Sequence, residues 1–158
     1  MNKRALSIVA ASALAVAALA APASAAPAAK ATGDVWADNP VHGAGMSHMV
    51  FNAQGTFGSA KGTFTYSDPD GSYTIAVQAV DVDGDVAWFA GPLVSNTHPA
   101  VRQSFGVVAV RDGGEPGIGV DAVSAEFYAE LDLAKSQFGG LTPEKYGLVA
   151  SAGNIQVH

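Results

Sequence analysis

The stretch Tyr73-Thr74-Ile75-Ala76-Val77-Gln78-Ala79, interrupted at Asp83-Gly84 and resumed as Val86-Ala87-Trp88-Phe89-Ala90, decides the fold class. Tyr73, Ile75, Val77 and Ala79 alternate with Thr74, Ala76 and Gln78, and a period of two puts alternate side chains on one face of a sheet. Val86, Trp88 and Ala90 resume that rhythm. Asp-Gly tolerates the positive φ angles of a type I′ turn, whose twist matches the strands it joins. The pattern predicts an antiparallel hairpin with strands over 72–82 and 85–94.

Similar short runs extend outward on both sides, over 34–37, 47–54, 62–66, 103–111, 122–133 and 154–157. Ala87 and Phe89, like Phe105 to Val110, make both faces of their strands apolar, so these strands are expected to be covered on both sides or to line a closed barrel. Val123, Ala125, Phe127, Ala129 and Leu131 alternate with Ser124, Glu126, Tyr128 and Glu130, which predicts one solvent-facing side. Leu131, Ala134 and Phe138 also fit helical spacing, and Thr142-Pro143-Glu144 could open a turn of helix. About eight antiparallel strands without βαβ alternation predict an all-β single domain, a small barrel or sandwich, with one short helix near 134–146.

The first 25 residues read as a removable export signal. Lys3 and Arg4 precede an uncharged, Ala-rich run from Ala5 to Ala21, and Ala23-Ser24-Ala25 forms a cleavage pattern. Residues 26–33 are small and without periodicity, which predicts a flexible leader, so the folded domain is expected over 34–158. After cleavage nothing remains that could span a bilayer.

Cleavage leaves 133 of the 158 residues and removes two of the eight basic ones, giving six basic against 14 acidic residues, a net charge of −8. Such a surface repels phosphate backbones, which argues against a nucleic-acid partner. The absence of cysteine excludes thiol nucleophiles, iron–sulfur clusters, thiolate zinc and a lipidated N-terminus. The expected location is therefore outside the cell, and the expected partner an unidentified extracellular ligand or envelope polymer.

Four stretches carry a family likeness: Val50-Phe51-Asn52-Ala53, Gly62-Thr63-Phe64-Thr65-Tyr66, Arg111-Asp112-Gly113-Gly114-Glu115-Pro116-Gly117 with Asp121, and Gly153-Asn154-Ile155-Gln156-Val157-His158. Together they resemble a family of small secreted bacterial domains, common in actinobacteria and called post-COAP domains. The resemblance implies a β-rich extracellular domain of no established activity. This chain is longer than that pattern between Leu133 and Tyr146.

Among candidate sites, Asp112, Glu115 and Asp121 place three carboxylates in a glycine-rich loop, as a calcium site requires; the plain alternative is a wide turn whose Asp side chains bond their own backbone. Asp81, Asp83 and Asp85 lack the length and closing Glu of an EF-hand loop, and Asp68-Pro69-Asp70-Gly71 reads as a turn. His42 and His48 lack a third zinc ligand. Ser47 and His48 point to opposite faces of a strand and cannot share a proton. Glu126 and Glu130 share a face, but four strand residues separate them by about 13 Å, beyond the roughly 5 to 9.5 Å of glycoside hydrolysis. Trp36, Tyr66, Trp88, Phe89 and Tyr128 could form a sugar platform or a barrel lining, or could simply pack the core. These readings favour a noncatalytic binding module without a required cofactor over a small hydrolase using carboxylates from different strands.

Overall fold

The computed structural model describes residues 28–39 and 45–158. The proposed export signal, the cleavage position and His42 lie outside them. The described chain is nearly all β, as its alternation predicts: β1 Ala29–Asp38, β2 Met46–Thr56, β3 Ser59–Asp68, β4 Gly71–Ala76, β5 Ala79–Asp83, β6 Val86–Asn96, β7 Phe105–Arg111, β8 Ala122–Tyr128 and β9 Leu148–Val157, with one helix, α1, over Leu131–Lys135. No helix among the described residues is long and apolar enough to cross a membrane.

All pairings are antiparallel, and consecutive strands pair with each other except β4 and β5. Two further contacts close the ring. The first half of β6 pairs with β5 while its second half, Leu93 to Asn96, pairs with β4, so β4 and β5 together occupy one position. The last strand returns to the first through seven residue pairs from Ala31↔Val157 to Ala37↔Ala150. The result is an up-and-down barrel, which removes most free sheet edge. Its loosest seam lies between β8 and β9, which share only Ala122↔Val149 and Val123↔Leu148.

The barrel interior is filled along most of its length. Phe51, Phe64 and Phe89 meet there with ring centroids 5.4 to 6.0 Å apart, among Val35, Met49, Ile75, Val80, Val108 and Ile155. Small residues make room for these rings: a Cβ on Gly33 would stand 2.4 Å from the tip of Phe51. The outward faces of β6 and β7 are also buried. Val86, Trp88, Ala90, Val107 and Ala109 form a second cluster beneath Ala134, Leu141, Leu131 and Phe138. Two apolar faces on one strand thus have two separate covers, the barrel core within and the 131–147 segment without.

Several expectations need correction. Strand β1 begins at Ala29, so Ala29 to Gly33 belong to the sheet rather than to a flexible leader; β2 and β9 supply backbone partners that compensate for small side chains. The run over 72–82 is broken between Ala76 and Ala79, where the Val77 N–H turns to the Gly62 carbonyl and the Gln78 N–H to that of Ala90. This break shifts the phase by one residue, so Val80 rather than Ala79 joins Tyr73, Ile75 and Val77 in the interior. In the hairpin, Asp83 pairs with Val86, and Gly84 and Asp85 form the loop. Gly84 has φ 62° and no non-glycine among the described residues, Asp85 included, has positive φ, which fits a type II′ turn rather than type I′. Strand β8 ends at Tyr128 and β9 starts at Leu148 rather than at residue 154, while the one short helix, at Leu131–Lys135, overlaps the start of the expected 134–146. Nor does the outer face of β8 simply meet solvent, because Ser124 is fully buried and donates to the Pro143 carbonyl at 2.6 Å.

Candidate functional site at the barrel mouth

One end of the barrel is not filled. Beside the β8–β9 seam lies a cavity of about 230 Å³. Tyr66 from β3 and Tyr73 from β4 stand directly opposite each other in the register, and their rings stack 4.9 Å apart at 15°. Phe127 from β8 meets Tyr73 edge-on at 5.0 Å. Tyr146, Leu148, Ala125, Val101 and Ala100 complete the apolar wall, and Asn39 and His98 contribute its polar end. A shallower groove continues outward past Ala125, Phe127 and Tyr146 to Arg102, Gln103, Glu126 and Tyr128.

Behind the wall runs a hydrogen-bond network. The Tyr66 hydroxyl donates to Asp68 Oδ2 at 2.7 Å and accepts from Asn39 Nδ2 at 2.6 Å, with Ser47 Oγ 2.8 Å away as its third partner. Asp68 Oδ1 accepts the Asp70 and Gly71 N–H groups, and Oδ2 also faces His98 Nε2 at 3.3 Å. His98 Nδ1 accepts the Ala100 N–H at 3.3 Å. The Asp68 side chain is 2% exposed. Burial alone would raise its pKa, but these four donors outweigh that and hold it below the ordinary carboxylate value. Burial pushes the Tyr66 and Tyr73 hydroxyls up, and the Asp68 charge adds to both shifts.

Asp68, Asp70 and His98 form a group of three with potential ligand atoms within 4.8 Å of one another, the only such group among the described residues. Asp68 and His98 bond to each other and to backbone N–H groups, and Asp70 is exposed and joins them through its own N–H. The group therefore reads as a turn lock that fixes the 96–101 loop to the β3–β4 hairpin. Tyr73 differs from its neighbours. It is 5% exposed and lines the cavity, and none of the described residues hydrogen-bonds to its hydroxyl.

The structure distributes the residues singled out from sequence among different places. Tyr66 and Tyr128 reach the mouth and its outer groove. Phe89 packs the barrel interior, whereas Trp88 lies in the outer cluster with its indole N–H on the Leu141 carbonyl at 2.7 Å. Trp36 is 42% exposed on the barrel exterior, stacked on His48, whose Nε2 meets Asp34 at 2.7 Å. At the opposite end of the chain's last strand, Asp112, Glu115 and Asp121 do not converge as a ligand set. Asp121 accepts the Gly113 and Ile155 N–H groups, Asp112 those of Gly114 and Val157, and Glu115 the Asn154 amide. These bonds lash the loop to β9. Burial raises the Asp121 pKa against the pull of its two N–H donors, with Asp112 and Glu115 adding like charge.

The carboxylates nearest the cavity do not have the character of a general acid. Asp68 is depressed, and Glu126 is held below its usual range because Lys145, Tyr128 and Tyr146 all bond to it, despite the cost of burial. In return, burial and the Glu126 carboxylate push Tyr128 up to about 12. Glu130 has left the strand and stands at the N-terminus of α1. Sequence reading missed Asn39, Tyr73, His98, Phe127 and Tyr146 as site residues. The only signal for any of them was the inward phase shared by Tyr66, Tyr73 and Phe127; the others arrive from loops. No family model matches this chain, and neither does a curated protein or a solved structure.

Proposed function

We propose that the protein is an exported, noncatalytic binding module whose barrel mouth holds a small molecule. The observation that carries this reading is the pairing of a filled barrel with one aromatic-walled cavity, into which a buried tyrosine hydroxyl brings an uncommitted hydrogen-bonding group. Ligand sites are typically concave and apolar, with a few placed polar groups. About 230 Å³ is below the range of drug-sized pockets but above the roughly 150 Å³ that accommodates benzene, which limits the ligand to about the size of a single ring. Export is supported by the charged start, Ala-rich run and Ala23-Ser24-Ala25 pattern.

The test is a panel of single-ring and small branched compounds, neutral and charged, followed by amide and side-chain NMR. Binding should perturb Tyr73, Phe127 and Ala125, and Tyr73→Phe should weaken binding of any hydrogen-bonding member by about five- to tenfold. A panel that leaves those resonances unmoved at millimolar concentration refutes the small-molecule reading.

A further inference from the structure

Resting on the barrel-mouth reading, we infer that the preferred occupant is an uncharged, ring-sized molecule carrying a carbonyl oxygen, to which the Tyr73 hydroxyl donates a hydrogen bond. Tyr73 is 5% exposed and lines the cavity. None of the described residues bonds to its hydroxyl. Nor is that oxygen one of the fully occluded polar atoms without a hydrogen-bond partner, which among the described residues are Arg111 Nε and Asn154 Oδ1. The little exposure that Tyr73 keeps therefore reaches its hydroxyl, and the space it faces is the cavity. Tyr66 cannot play the same part, since Asp68, Asn39 and Ser47 surround its hydroxyl.

The kind of ligand follows from the direction of that bond. In a phenol the ring draws on the oxygen lone pairs, so the group donates better than it accepts. Burial, with Tyr66 and Asp68 adding to it, pushes the Tyr73 pKa well above its ordinary value and keeps the proton in place. A buried donor left unbonded is costly, and an acceptor on the ligand relieves that cost. An ammonium group would only bring a second donor to the first. A carboxylate would accept, but the cavity offers it no counter-charge. No Lys or Arg lines the inner wall, and the Asp68–His98 pair, 3.3 Å apart, carries no net positive charge whether or not the imidazole is protonated. Burying an unpaired charge costs more than one hydrogen bond returns. Arg102 stands farther out in the groove, alongside Glu126. For the body of the ligand, the edge-on meeting of Phe127 with Tyr73 and the small side chains of Ala100 and Ala125 leave an apolar space suited to an aromatic ring.

The decisive experiment compares acetophenone with α-methylstyrene, which has the same shape with a methylene group in place of the carbonyl oxygen, and with benzoate, which adds charge to the same ring. In NMR titrations of the purified protein, followed at Phe127 and Ala125, acetophenone should bind at least about fivefold more tightly than α-methylstyrene. It should bind at least about tenfold more tightly than benzoate. Equal affinity for the first two, or a preference for α-methylstyrene, overturns the carbonyl inference and leaves the small-molecule site standing. Benzoate binding as tightly as acetophenone overturns the uncharged class. Failure of all three to bind overturns the inference too, and the wider panel then decides whether any site exists. In Tyr73→Phe the ratio of acetophenone to α-methylstyrene affinity should fall to about one; a folded variant that keeps the full preference overturns the role given to Tyr73. The wild-type titrations decide the ligand class even if that variant does not fold.

Discussion

The Tyr66 hydroxyl has one proton and two lone pairs, and Asp68, Asn39 and Ser47 take up all three. Removing it leaves several buried polar groups short of a partner. Tyr66→Phe should accordingly cost about 1–3 kcal/mol in denaturant unfolding, more than an ordinary single hydrogen bond; a loss below about 0.5 kcal/mol would show that the network closes without it. Asp68 adds a pH signature. Its folded-state pKa is depressed, so the stability it supplies is present above the unfolded value, ordinarily 3.8, and is lost as the pH falls through the folded value. The gap in stability between wild type and Asp68→Asn should thus be widest near neutrality and close below about pH 4. Asp121 works in the opposite sense, since its raised pKa means that the folded state takes up its proton first. At this scale the sequence showed part of the site. Alternation put Tyr73 on one face with Ile75 and Val77, but His98 lies 30 residues from Asp68 in a loop without periodicity.

Among the elements, the central hairpin was legible because both its strands alternate and Asp83-Gly84 marks the turn. The break at Val77-Gln78 was not, because a bulge is set by where a strand must leave one neighbour for another, and no single side chain announces that change. The cover over β6 and β7 was half legible: two apolar faces required two covers, but what supplied the outer one could not be read. Trp88 and Ser124 hold that cover through the Leu141 and Pro143 carbonyls. Replacing Trp88 by Phe keeps most of the apolar contact and leaves the buried carbonyl unpaired, a change costing about 1–3 kcal/mol. Cleavage by a broad-specificity protease within 136–147 should then accelerate while the strand signal in circular dichroism persists. Loss of the strand signal at the same rate would mean that cover and barrel open together.

In the whole molecule, closure depends on β1 meeting β9, for example Gly33 opposite Ile155. Such a pairing leaves no local trace, and the small residues from Ala150 to Gly153 hide half of β9 from any periodic reading. Ring closure is also uneven. Strand β8 is paired to β7 along its full length, from Arg111↔Ala122 to Phe105↔Tyr128, but to β9 only at its first two residues. Beyond Val123, the backbone groups of β8 that point toward β9 have no strand to bond. This is also where Ala125 and Phe127 face the cavity. Local opening should therefore be easiest along this seam, because stability within a fold varies with the density of backbone bonds and buried contacts. In native-state hydrogen exchange, the amides of 124–128 directed away from β7 should exchange at far lower opening energies than those of β1 and β2, which should report global unfolding. A ligand seated in the mouth would bridge β8 and the Tyr146–Leu148 region, and should slow exchange there in proportion to its occupancy. Uniform protection across β7, β8 and β9 without ligand would show instead that the seam is sealed by side chains alone and that the mouth does not breathe.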